Sequence, residues 1–253
     1  MTMQAPNFRV DGQRALVTGG SRGIGYCAAL ALAQAGAKVT MVARSLDTLQ
    51  ASQQELLSAG FASEILQLDV TDPEAVDQAL SELEPFQILV NNAGMNRPKH
   101  LVDVKNEDID AVFDLNIKAA FYVTRKVTQQ LLATKLPGSI INISSQMGVV
   151  GSPRRTLYCA SKHALEGMTK SLAWELGEAN IRVNTICPTF IETDMTAPMF
   201  EDKAFRSWVI DKIALGRLGQ PDEIMGSIVF LASPASSLIT GSALVLDGGW
   251  SAA

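Results

Sequence analysis

The sequence predicts an α/β fold: one doubly wound, seven-stranded parallel sheet with helices on both faces. Three observations carry this. Short β-branched runs alternate with helix-length segments almost to the end of the 253 residues. The runs are apolar, and apolar strands joined by helix-length crossovers imply a parallel sheet covered on both sides. A glycine cluster, TGGSRGIG at 18–25, lies between the first run and the first helical segment.

The predicted strands, in order, are RALVT (14–18), KVTMVA (38–43), EILQLDV (64–70), QILVNNA (87–93), SIINIS (139–144), RVNTIC (182–187) and ALVLD (243–247). The segments IGYCAALALAQAG and SLDTLQASQQELLSAG each end on a glycine, Gly36 and Gly60, where a helix C-cap belongs. PEAVDQALSEL begins after Asp72, and the Asp72-Pro73 pair reads as a helix start. The stretches 107–135 and 157–179 supply two long helices. Segment 189–215 breaks the rhythm, being longer than a simple connection and rich in Met, Phe and Trp. It is either a pair of helices covering the sheet or a flap over a ligand. With no linker or repeat, residues 1–253 read as one domain.

Hydrophobic residues make up 47% of the chain and charged residues 19%, enough for a sizeable core and against extensive disorder. A formal charge of −5 argues against general binding to nucleic acid or anionic membranes. No apolar run approaches the length of a membrane span, and MTMQAPNFRVDG lacks the apolar core of a secretory leader. Cys27, Cys159 and Cys187 have no metal-ligand spacing and read as free thiols. The expectation is a cytoplasmic protein without a metal.

In the loop TGGSRGIG, Gly19, Gly23 and Gly25 permit a tight turn, close approach of the backbone to a pyrophosphate, and helix–strand packing. Further along, TLYCASKHA (156–164) places Tyr158 and Lys162 four residues apart, on one face if the stretch is helical. Alone, that pair reads equally well as a surface contact. Together with NNAG (91–94), however, TGGSRGIG and YCASK occur in order at the ends of strands or on the helices that follow. They resemble the short-chain dehydrogenase/reductase family in its single-domain form, over residues 12–250. LDV (68–70), Asn116, the serine pair 144–145 and LDGG (246–249) extend the match.

The resemblance implies a Rossmann-like fold and hydride transfer between a nicotinamide and a ketone or secondary alcohol. It implies that Tyr158 exchanges a proton with the substrate oxygen, helped by the cation of Lys162. Ser145, thirteen residues before the tyrosine, is implied to polarise the carbonyl, and Asn116 to anchor a proton relay. Ser21, Arg22 and Ile24 map to the phosphate turn, Asp69 and Val70 to the adenine contacts, and Asn92, Ala93 and Gly94 to the wall beside the adenosine ribose. Pro188, Ile191 and Thr193 map to the carboxamide side. The chain departs from the family at Pro188-Thr189, where glycine usually follows the proline; threonine takes positive φ only at a cost.

At the end of the second strand stands Ala43-Arg44-Ser45, with no carboxylate to grip a ribose 2′-hydroxyl. Arg44 and Arg22 can instead clamp a 2′-phosphate, so NADP(H) is expected over NAD(H). The loop QMGVVGSPRRTL borders the reacting carbon, and Gln146, Arg154 and Arg155 are candidate contacts for a small polar, sugar-like or hydroxy-keto substrate. The alternatives are a 3-oxoacyl-thioester reductase, using the Met/Phe/Trp flap as an apolar wall, and a non-catalytic NADP-binding sensor or scaffold. His163 reads as an exposed helix residue and Cys159 as a packing residue. The resemblance also implies a homotetramer built through the long helices and the last strand, with Phe113, Phe121, Leu165, Met168 and Leu172 as candidate faces.

Overall fold

The computed structural model describes residues 5–252; positions 1–4 and 253 of the predicted domain lie outside them. Along the chain run β1 (Arg14–Thr18), α1 (Gly23–Gln34), β2 (Lys38–Ala43), α2 (Leu46–Ser58), β3 (Ser63–Gln67), α3 (Pro73–Ser81) and β4 (Ile88–Asn91). There follow α4 (Asn106–Phe113), α5 (Ala119–Thr134), β5 (Gly138–Ile143), α6 (Thr156–Leu176), β6 (Ile181–Pro188), α7 (Lys203–Lys212), α8 (Met225–Ala232) and β7 (Ala243–Leu246). All seven strands join one parallel sheet in the order β3-β2-β1-β4-β5-β6-β7.

The central strands β1 and β4 are largely apolar because each face of the sheet buries its own core. Ala15 and Val17 of β1, Ile88 and Val90 of β4, and Ile141 and Ile143 of β5 point to the side covered by α1, α2 and α8. Leu16, Leu89 and Ile140, at the alternating positions, pack on the other side against Val76 and Leu80 of α3 and Val123, Val127 and Leu131 of α5. A chain of buried amides and hydroxyls pins the helices to this second face. Asn91 Nδ2 donates to Thr124 Oγ1 at 2.8 Å and to Asn142 Oδ1 at 2.9 Å, and Asn142 Nδ2 donates to Thr169 Oγ1 at 2.8 Å.

Two elements differ most from the sequence reading. The run 64–70 ends as a strand at Gln67, because the Asp69 carboxylate accepts from Thr71 N (3.0 Å) and Thr71 Oγ1 (2.7 Å) and turns the chain. The stretch 107–135 is not one regular helix: α4 and α5 are joined by a π turn at Asp114–Lys118. The N-terminal end of α4 is tied by Asp108, which accepts from Lys99 Nζ (2.5 Å), Arg97 Nη1 (3.1 Å) and Lys105 N (3.1 Å). Leu165 and Met168, expected as possible interface residues, pack inside against Ala120. Among the described residues no helix is long and apolar enough to cross a membrane.

Sheet order reverses direction between β1 and β4, so the connections leave these strands on opposite faces. A crevice opens at their carboxyl ends, the position where doubly wound sheets receive ligands.

Candidate active site

That crevice is a cleft of about 440 Å³. Its floor is the turn after β1. Thr18 Oγ1 accepts from Asn92 N (3.1 Å) and Ala93 N (3.2 Å), and Asn92 Nδ2 donates back to the carbonyls of Thr18 (3.1 Å) and Gly19 (3.0 Å). Two loops from non-adjacent chain positions are thereby locked together. Gly19 has φ +63°, and a Cβ there would come 2.8 Å from Asn92 Nδ2. A Cβ on Gly25 would collide with the Gly19 carbonyl and with Asn92 Nδ2. No side chain caps the start of α1, so its first N–H groups remain available for an anion. The cradle fits a pyrophosphate.

The structure gathers the sequence-predicted cofactor residues around this one cleft. Gly19, Ser21, Arg22, Gly23 and Ile24 line the phosphate end; Arg44, Ser45, Asp69 and Val70 line the far end; Asn92, Ala93, Gly94, Pro188, Ile191 and Thr193 line the walls. Gly25 lies behind the lining, where it sets helix–strand packing. Arg22 and Arg44 are exposed at the mouth, and neither forms an ion pair among the described residues. Burial works to raise the Asp69 carboxyl, but the two bonds from Thr71 and the charge of Arg44 outweigh it and hold that group below its usual range.

At the inner end, β5 and α6 bring the reacting groups together. Ser145 follows β5; its Oγ accepts from Met147 N at 3.1 Å and lies 3.5 Å from the Pro188 carbonyl. Tyr158 is half-buried in the first turn of α6, and Lys162 is buried one turn on. Lys162 Nζ donates to the Ile143 carbonyl at 2.8 Å and stands 5.5 Å from the centre of the Tyr158 ring. Burial pushes the phenol up to about 12, with the Ser145 hydroxyl pulling the other way. Burial also lowers Lys162 to about 8, opposed by electrostatic attraction to the Cys187 and Glu166 side chains. The lysine is therefore itself strained by desolvation, which the i,i+4 spacing alone did not reveal.

Asn116 sits inside the π turn, fully engaged. Its Oδ1 accepts from Met95 N (2.8 Å), and its Nδ2 donates to the Met95 carbonyl (3.0 Å) and Ser161 Oγ (3.0 Å). It positions the wall at Gly94, where a Cβ would stand 3.3 Å from Asn116 Oδ1 and 3.8 Å from Lys162 Nζ.

Comparison with known proteins decides what this arrangement is. Residues 19–251 match the family model described as "Enoyl-(Acyl carrier protein) reductase". The chain is 38% identical over 245 residues to the D-erythrulose reductase of Gallus gallus, covering 97% of this chain and 98% of that one. It is 41% identical to the 3-oxoacyl-[acyl-carrier-protein] reductase of Thermotoga maritima, covering 96% and 99%. The structure of a gluconate 5-dehydrogenase from Burkholderia cenocepacia J2315, in complex with NADP and tartrate, superposes with a TM-score of 0.92 at 33% identity, covering 98% of each chain. The chain belongs to the short-chain dehydrogenase/reductase family. It is an oxidoreductase acting on CH–OH or carbonyl groups.

What distinguishes this short-chain dehydrogenase/reductase lies at the flap. Thr189 does not take positive φ; its N–H donates to the Leu246 carbonyl at 3.0 Å, prolonging the β6–β7 ladder. The flap then forms a helical turn at Ala197–Glu201 and the helix α7. Phe190, Phe200, Phe205, Trp208 and Trp250 make one aromatic cluster, with successive ring centres 5.6–6.2 Å apart. Tyr158, Cys159 and Met147 pack against the same cluster, so the flap has a core and Cys159 has a packing role. The cleft wall also includes Thr189, and Met95, Asp194 and Met195, which the sequence reading did not single out. His163 is exposed, its Nδ1 2.9 Å from the Cys159 carbonyl. Among the described residues no cluster of His, Cys, Asp or Glu could hold a metal ion.

Proposed function

We propose that this enzyme is an NADP(H)-dependent oxidoreductase of a small polar ketone or its secondary alcohol, sugar-like or hydroxy-keto in character. One observation carries the reading: Ser145, Tyr158 and Lys162 converge where the dinucleotide cleft meets the flap, while Arg22 at the phosphate end and Arg44 at the far end are without an ion pair among the described residues. Bound nicotinamide supplies or accepts the hydride. Gly19, Gly23 and the first turn of α1 hold the pyrophosphate, and Arg22 and Arg44 hold a 2′-phosphate. Ser145 orients the carbonyl oxygen, and Tyr158 donates its proton to that oxygen. A phenol pushed up to about 12 keeps its proton across physiological pH, the form that carbonyl reduction requires. For the reverse reaction it must become a base, and positive charge in the cleft beside Lys162 favours that. Asn116 holds the wall on which the proton relay to Lys162 rests.

The relatives that act by name on erythrulose and gluconate support the small polar substrate. The relative named for 3-oxoacyl chains favours a second reading, an acyl-thioester reductase using Met195 and the aromatic flap as its apolar wall. The test measures kcat/KM by NADPH absorbance for short polyhydroxy ketones and β-ketoacyl thioesters. Faster reduction of the thioesters overturns the first reading, and no turnover with any ketone leaves the non-catalytic sensor.

We also expect a single-domain homotetramer in the cytoplasm. Phe121 and Leu132 on α5, Trp174 on α6 and Val245 on the edge strand β7 are exposed and supply the faces. The three free thiols fit a reducing compartment. Light scattering at micromolar concentration tests the assembly, and a monomer mass refutes it.

A further inference from the structure

The helical face that bears Tyr158 and Lys162 continues one turn inward and ends outward at the residue that precedes α6. Inward it reaches Glu166, whose buried carboxylate accepts from Thr185 Oγ1 at 2.9 Å and from Cys187 Sγ at 3.3 Å. Outward, three residues before Tyr158, it reaches Arg155. Lys162 faces the dinucleotide half of the cleft beside Gly94. A substrate whose oxygen meets Ser145 and Tyr158 therefore extends the other way, towards Arg155 and the flap.

Arg155 is only 8% exposed. Among the described residues its sole side-chain partner is the Met199 sulfur of the flap, 4.0 Å from Nη2, and a thioether is a weak acceptor. No carboxylate pairs with it among the described residues, although buried guanidinium groups are ordinarily paired. Burial, and after it the charge of Arg154, presses its pKa downward, yet a guanidinium stays charged. Arg154 takes no share in this: its φ is +61° and it is exposed, so the neighbouring arginines part company. Next to Ser145, Gln146 is 1% exposed and its Oε1 has no hydrogen-bond partner among the described residues. A buried planar cation near Tyr158 and a buried acceptor next to Ser145 thus lie beside the reacting groups, just behind the lining of the cleft.

We propose that Arg155 anchors a carboxylate of the substrate by a two-pronged hydrogen bond, with Gln146 Oε1 accepting from a substrate hydroxyl, so that this enzyme works on polyhydroxy keto acids and their hydroxy acids in preference to neutral sugars. This rests on the small polar substrate proposed above and makes it specific.

The experiment compares keto acids with neutral ketoses of matching chain length, in wild type, Arg155→Lys and Arg155→Met, with β-ketoacyl thioesters as a third class. Wild type should favour the acids, chiefly through KM, and Arg155→Met should lower the acid-to-ketose ratio of kcat/KM on the order of 10²-fold, with Arg155→Lys in between. An unchanged ratio, or a wild-type preference for the ketoses, overturns the carboxylate anchor while leaving the small polar substrate standing. Turnover of thioesters alone overturns both. Should the variants not fold, competition against wild type decides: hydroxy acids should inhibit at concentrations about 10²-fold below those of polyols of equal length. Equal inhibition refutes the proposal.

Discussion

The two halves of the cleft are built on opposite plans. In the dinucleotide half, backbone groups from two loops are locked to each other through Thr18 and Asn92, and glycines leave no space to spare. In the flap half, aromatic rings pack on one another around Phe190, while Arg155, Gln146 Oε1 and Thr189 Oγ1 are buried without hydrogen-bonding or ionic partners to match them. One half is locked by the protein's own hydrogen bonds and offers its ligand backbone N–H groups and two exposed arginines. The other leaves polar groups to be satisfied by what it binds. The difference teaches where to look for conserved chemistry and where for specificity: a ligand common to many enzymes meets fixed backbone, and a particular substrate meets unpaired side chains.

The largest effect expected lies at the junction of the halves. Tyr158→Phe should lower kcat by ~10²–10⁴-fold, because only the proton-transfer group is lost. NADPH affinity, followed by fluorescence titration, should barely change, and near-normal turnover would break the mechanism. Gly25→Ala tests how rigid the dinucleotide half is. Its Cβ has nowhere to go, so Tm should drop by the equivalent of about 1–3 kcal/mol, and NADPH affinity should fall with it. A variant with wild-type Tm and affinity would show the locked turn to be softer than its contacts imply.

Arg44→Ala should raise KM for NADPH by roughly tenfold and leave NADH almost unaffected, since one exposed ion pair to a 2′-phosphate is lost. Arg22→Ala should act in the same direction. Equal effects on both cofactors would assign the arginines to solvent. On the flap side, Phe205→Ala removes contacts to Phe190, Phe200 and Trp208, and each aromatic pair contributes about 0.5–1.5 kcal/mol. Substrate KM should rise while NADPH affinity holds; a parallel loss of both would show that the halves are mechanically coupled.

The smallest effect concerns stability of the protein without ligand. Lys162 titrates at about 8 when folded against 10.5 normally, so the folded state resists its charge below pH 8. Its penalty fades as pH rises from about 8 to 10.5, where the unfolded chain still holds a proton that the folded one has released. Lys162→Met should be inactive yet melt at or above the wild-type temperature near pH 7, with the gap narrowing over that window. A variant less stable than wild type at pH 7 would mean that the bond to Ile143 outweighs desolvation.

Legibility in the sequence followed the same division. The strands 14–18 and 38–43 were bounded correctly by their apolar runs, and the fold follows from burial on both faces. Residues of the dinucleotide cleft fell into place from three motifs, because a backbone cradle demands glycines at set positions. Composition failed where one distant contact decides. The strand at 64–70 stopped early for a single carboxylate, Asp69, and the long helix at 107–135 opened because Asn116 bonds residues 21 and 45 positions away. Arg154 and Arg155 looked equivalent in the chain; one left-handed φ sends the first into solvent and leaves the second buried. Met95 and Met195 carry no motif at all, and only the path of the chain places them in the cleft wall.

The π turn at Asp114–Lys118 is what a helix becomes when it accommodates one residue too many. Upstream, Asp108 fixes α4 to Lys99 and Arg97; downstream, Val123, Val127 and Leu131 fix α5 to the sheet. The wider turn lets both segments keep their own phase. Deleting a single residue from it would restore a regular ladder and rotate one segment against the other by about 100°, the angle of one helical step. Either the sheet-facing stripe or the Asp108 anchor would then swing off target. In this stretch of chain, length constrains the fold alongside the bonds of Asn116: insertions and deletions must come in numbers that bring both phases back into step.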